Sequence, residues 1–77
     1  MAKTWSGRLV AKILSHQFGF VKVSQKGSHL KLEKVTNAKR VITVIPSHYE
    51  LAPGTLRGVL KLAEIEYKTF LAVAKKQ

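Results

Sequence analysis

The 77-residue chain has no cysteine and no aspartate, and sets only four glutamates against 14 lysines and arginines. Without cysteine it can form neither a disulfide nor a thiolate metal site, a composition that fits a reducing cytoplasmic setting. With so few carboxylates and no histidine pair at a recognised ligand spacing, we expect neither a metal nor another cofactor. Two-metal nuclease chemistry, which needs acidic ligands, is disfavoured for the same reason. No run of 18 apolar residues occurs, so no segment is expected to span a membrane. Residues 1–12 scatter their apolar positions in a way unlike a signal peptide. Internal repeats, low-complexity tracts and linkers are also lacking, and residues 1–77 read as one domain. At this size roughly 60% of the unfolded surface can be buried, which implies a small core and no room for a large substrate cavity.

What is present is charge. The formal net charge is +10, and Lys22, Lys26, Lys31, Lys34, Lys39 and Arg40 face only Glu33 between positions 22 and 40. A bias this one-sided points first to nucleic acid as the partner, then to an acidic protein, and third to an anionic membrane surface.

Apolar periodicity gives the order of elements. Ser6 is a good N-cap, with Trp5 placed to staple onto Val10, and Leu9, Val10, Ile13 and Leu14 follow a helical repeat from Gly7 to about Gln17. Gly19 can close that helix in a left-handed conformation. Phe20 to Ser24 alternates as a strand with Val21 and Val23 inward, His29 to Lys34 as a second with Leu30 and Leu32 covered, and Arg40 to Ile45 as a third, ended by Pro46. Short connections predict antiparallel pairing. Pro53-Gly54 reads as a turn and Thr55 as the N-cap of a second helix, whose stripe is Leu56, Val59, Leu60 and Ala63. Gly58 inside it suggests close packing against a neighbouring element. A last helical segment carries Tyr67, Phe70, Leu71 and Ala74 and ends in Lys75-Lys76, either as a third helix or as an extension of the second. The fold class is α+β, α-β-β-β-α with a three-stranded antiparallel sheet and a short C-terminal helical extension.

Proton-transfer chemistry near neutrality falls to histidine, whose unperturbed pKa is about 6.5. His16, near the end of the first helix, is explained by helix-end electrostatics or solvation. His29 differs, because Gln25-Lys26-Gly27-Ser28-His29-Leu30-Lys31-Leu32 is a turn opening into a half-buried strand. That alternation puts His29 and Lys31 on one face. Metal-independent RNA cleavage needs a base to take the proton of the ribose 2′-hydroxyl, and cations to stabilise the charge that develops. DNA has no such internal nucleophile. His29 is the candidate general base or acid, with Lys22, Lys26 and Lys31 as phosphate partners. Gly27 shapes the turn, Ser28 is a hydrogen-bond donor to phosphate, and His48 is a loop residue able to approach the ligand. Phe20, Tyr49 and Tyr67 are possible base-stacking platforms with packing as the alternative.

Several of these motifs resemble the HicA (YcfA-like) family of small toxins. The resemblance runs over about residues 6 to 72. It is carried by Ser6-Gly7-Arg8-Leu9, Gly19-Phe20, the Gln25 to Leu32 element, Val44-Ile45-Pro46-Ser47-His48, and Pro53-Gly54-Thr55-Leu56-Arg57-Gly58-Val59-Leu60 with Ala63. Ile45 between Val44 and Pro46, and the Tyr49-Glu50-Leu51-Ala52 loop, depart from the family pattern. The resemblance implies a double-stranded-RNA-binding-domain-like fold, mRNA interferase activity with His29 as the catalytic residue, and inhibition by a HicB antitoxin. Two other readings stay open from the charges alone: a module that binds structured RNA without cutting it, and a cationic surface that receives an acidic protein.

Overall fold

The computed structural model describes residues 4–75. The elements run α1 (Gly7–Phe18), β1 (Val21–Lys26), β2 (His29–Val35), β3 (Arg40–Pro46), α2 (Pro53–Leu62) and α3 (Tyr67–Ala74). The expected α+β order is therefore present, and the last segment is a separate helix; Lys76, at its basic end, lies outside the described residues.

Ser6 adopts extended backbone and accepts the Leu9 N–H at 3.1 Å, so α1 starts where its cap dictates. At the other end Gly19 takes φ +78°, and the Gly19 and Phe20 N–H groups both turn back onto the Leu14 carbonyl. Val10, Ile13 and Leu14 are buried on the inner face of the helix. Trp5 shares their core, but its ring partner is Phe70 of α3, met edge-on at 5.3 Å between centroids. The indole thus joins the start of the chain to its last helix.

The sheet order is β1-β2-β3, antiparallel throughout. Leu30 stands opposite Ile45 and Leu32 opposite Thr43 on the face that the core covers, while His29, Lys31 and Glu33 stand opposite Pro46, Val44 and Ile42 on the other. β1 departs from expectation. Val21 and Val23 are not inward but 66% and 49% exposed, and every residue of the strand is exposed. Pairing with Glu33 puts Val21 on the open face, and an irregularity between Lys22 and Ser24 takes Val23 out of register. Both α1 and α2 pack on β3, so β1 runs past the core as an uncovered edge.

α2 lies beside β3 and runs antiparallel to it, tied by one contact between them and one just beyond their ends. The buried Thr43 hydroxyl donates to the Val59 carbonyl at 2.8 Å, and Lys39 pairs with Glu64 at 2.7 Å. Since the Val59 carbonyl also accepts the Ala63 N–H, it is not orphaned when the hydroxyl is removed. A Thr43→Val protein is accordingly expected to lose only about 1 kcal/mol in urea denaturation; an unchanged midpoint would show that the bond contributes nothing.

Two expectations for α2 need correction. The helix begins at Pro53, with Ala52 at the cap and no side-chain cap bond, so Thr55 is a helical residue rather than the N-cap. Proline's fixed φ and missing N–H suit the first helical position and move the start upstream. Gly58 is exposed, and a Cβ there would meet nothing within 4 Å, so close packing is not what it provides.

Candidate functional site

The β1–β2 connection is a two-residue loop, Gly27-Ser28, between the paired residues Lys26 and His29. Positive φ occurs at its first residue alone, Gly27 at +59°, the pattern of a type II′ hairpin turn. The tight turn makes His29 the first residue of β2, exposed, with Lys26 across from it on β1 and Pro46 on β3. Residues so opposed have Cβ atoms about 5 Å apart. Lys31 follows two residues later on the same face, between Ser24 and Val44.

This corner is fastened from behind. The Ser47 N–H donates to the Ser28 carbonyl at 2.6 Å, the Gly7 N–H to the His48 carbonyl at 2.8 Å, and the Leu51 N–H to the Trp5 carbonyl at 2.8 Å. The loop after β3 is thereby held between the hairpin and the start of α1. Gly7 is required by contact: a Cβ at that position would lie 1.8 Å from the Pro46 carbonyl oxygen.

Not every sequence candidate reaches the corner. Lys22 pairs with Leu32 and so belongs to the opposite face, where its Nζ lies 3.4 Å from Gln25 Oε1. His48 lines a different depression, with Arg8 and Tyr49. Among the aromatic candidates Phe20 is buried in the core, Tyr49 is fully exposed, and Tyr67 carries the Arg57 guanidinium 5.4 Å from its ring centre. His29, Lys26, Lys31, Gly27 and Ser28 are the candidates that the structure does bring together. Among the described residues no three His, Cys, Asp or Glu side chains gather as metal ligands.

Next to His29, between β3 and α2, runs an open groove of about 690 Å³. Its floor is Val44 and Pro46 of β3, and its wall is Thr55, Gly58 and Leu62 of α2. His29 stands at one end and Glu64, paired with Lys39, at the other. Small size rules out a large enclosed cavity, but this groove is a surface feature made by laying a helix beside a strand. Sequence reasoning missed it. The available signal was the 55, 58, 62 spacing, a second helical stripe adjoining the buried Leu56, Val59 and Leu60.

Fold and site together define a small, strongly basic α+β domain that presents one histidine and two lysines on an open sheet face. The chain belongs to the HicA toxin family of bacterial toxin–antitoxin systems, whose profile matches residues 7–65, from the start of α1 to just beyond α2. No curated protein matches it. Family membership makes the chain a toxin component and implies an antitoxin partner. No described helix is long and apolar enough to cross a membrane.

Proposed function

We propose that this toxin is an endoribonuclease that needs no metal, with His29 as its general base. The observation that carries the reading is the strand register, which sets Lys26, His29 and Lys31 on one exposed face. His29 takes the proton of a ribose 2′-hydroxyl, the 2′-oxygen attacks the adjacent phosphorus, and the bond from phosphorus to the 5′-oxygen breaks. The 5′-oxygen leaves with a proton from solvent, and the products are a 2′,3′-cyclic phosphate and a 5′-hydroxyl. Lys26 and Lys31 offset the charge that builds on the phosphate oxygens, and Ser28 donates a hydrogen bond beside them. Lys22 and His48, which face elsewhere, are assigned to flanking phosphates.

Messenger RNA in the cytoplasm is the substrate in this reading, and the implied antitoxin is a HicB-like protein whose acidic surface covers the same face. Purified protein incubated with RNA in EDTA should yield fragments ending in 2′,3′-cyclic phosphate. RNA that is bound but remains intact would instead identify a non-catalytic RNA-binding module.

A further inference from the structure

We propose that the groove between β3 and α2 is a nucleobase subsite, which receives the base next to the phosphate addressed by His29. The inference rests on the ribonuclease reading for its orientation, but on the groove itself for its chemistry. Val44, Pro46 and Leu62 give the groove an apolar lining, and it opens at one end onto His29. Lys31 stands opposite Val44 in register, so a cation flanks the floor, and Lys61 adds a second at the wall. An occupant that satisfies both parts must be apolar over one portion and anionic within one residue's reach of it. A nucleotide has that form. An aliphatic protein side chain would fill the floor and leave the lysines unmatched. The groove is open to solvent, which suits a base laid along its wall rather than one enclosed in a pocket.

Gly58 is the position that leaves the groove wall unfilled. Glycine inside a helix is unfavourable, and no packing contact requires it here, since a Cβ would meet nothing within 4 Å. Its missing side chain leaves space in the groove wall between Thr55 and Leu62. Because α2 is capped at Ala52 rather than at Thr55, the Thr55 hydroxyl is not committed to capping. It can donate to or accept from a base edge, and so discriminate among bases.

The test has two arms. In the first, the wild-type chain is titrated with the four ribonucleoside 3′-monophosphates and with base-free ribose 5-phosphate, and followed by NMR. The Val44 and Leu62 methyls and the Gly58 amide should move with the nucleotides, unequally among the four bases, and stay still with ribose 5-phosphate. Shifts confined to Lys26 and Lys31, alike for all five probes, would overturn the subsite. In the second arm Gly58→Leu fills the groove while raising helix propensity. It should retain its melting temperature, lose roughly tenfold in kcat/KM on RNA, and cut at a changed distribution of sites, with Gly58→Ala between it and wild type.

An unchanged rate and cutting pattern in Gly58→Leu would overturn the subsite and leave the nuclease standing. Base-dependent shifts in a protein that cleaves no RNA would support the subsite while removing the nuclease. Loss of antitoxin binding in Gly58→Leu, with no nucleotide shifts in wild type, would assign the groove to the partner protein and overturn the proposal.

Discussion

RNA cleavage by a His29→Ala protein is expected to fall by about 10²- to 10⁴-fold with no loss of thermal stability. The two halves of that expectation have separate causes. His29 is exposed, and among the described residues its side chain makes no hydrogen bond or ion pair, so its removal leaves the core and the hairpin turn intact. An exposed substitution of this kind shifts stability by no more than about 0.5 kcal/mol. The catalytic loss is large because, among the described residues, no other proton acceptor stands at the hairpin corner: Lys26 and Lys31 are its neighbours, Glu33 lies farther along the face and is paired with Arg40, and His48 lines another depression. Lys31→Gln should cost less, since it weakens charge stabilisation while keeping the base. Parallel melting curves and initial rates on one RNA check both halves. Cleavage by His29→Ala at the wild-type rate, from a preparation free of host ribonuclease, would remove His29 from the mechanism. The range also sets a limit. A single general base supplies roughly 3 to 5 kcal/mol of barrier reduction, so substrate placement must provide the remainder.

Gly7→Ala should be the most destabilising of the five possible glycine-to-alanine changes. A methyl group at that position would sit 1.8 Å from the Pro46 carbonyl oxygen and 3.0 Å from the Ser47 Cα. Both are backbone, so no side chain can rotate away. α1 must lift from the end of β3, which strains the Gly7 to His48 bond and, behind it, the Ser47 to Ser28 bond that holds the hairpin. Overpacking of this kind costs about 3 kcal/mol, which for a domain of this size lowers the melting temperature by roughly 15 °C. Helix propensity alone gives the opposite sign, because alanine is the better helix former. Calorimetry of Gly7→Ala beside Gly58→Ala separates the two effects: the first should melt well below wild type and the second slightly above it. A Gly7→Ala protein as stable as wild type would mean that helix and strand do not approach so closely. Since the fastened loop backs the His29 corner, RNA cleavage should also fall in this variant, at temperatures where it is still folded.

The residues that announced themselves in the sequence are those whose environment is set by near neighbours. Ser6 and Gly19 bound α1 through local hydrogen bonds, and Leu30 and Leu32 alternate with His29 and Lys31 because the strand's own period fixes their faces. Where the sequence misled, a distant element decided the outcome. Val21 and Val23 have strand-forming side chains, but whether they are covered depends on a helix that packs elsewhere. Thr55 has the chemistry of a cap and is overruled by Pro53 two residues earlier. The Lys26, His29, Lys31 cluster was partly legible, since the alternation unites His29 and Lys31. Adding Lys26, and excluding Lys22, required the cross-strand register. The groove left only the 55, 58, 62 stripe as a signal, because it exists only once α2 lies beside β3.

The placement of the two ion pairs has an electrical consequence. Glu33 with Arg40, and Glu64 with Lys39, gather at the end of the sheet where β2 turns into β3. Those are the ion pairs among the described residues, and they engage two of the chain's four glutamates. The opposite end, with Lys26 and Lys31 around His29, has no such compensation. The positive field is therefore damped at that end, where Lys34 alone lacks a carboxylate partner, and is damped by no ion pair around His29. A polyanion diffusing toward the sheet feels a torque before it feels a contact. Approach is biased to the His29 end, and association should slow steeply as added salt shortens the reach of that field.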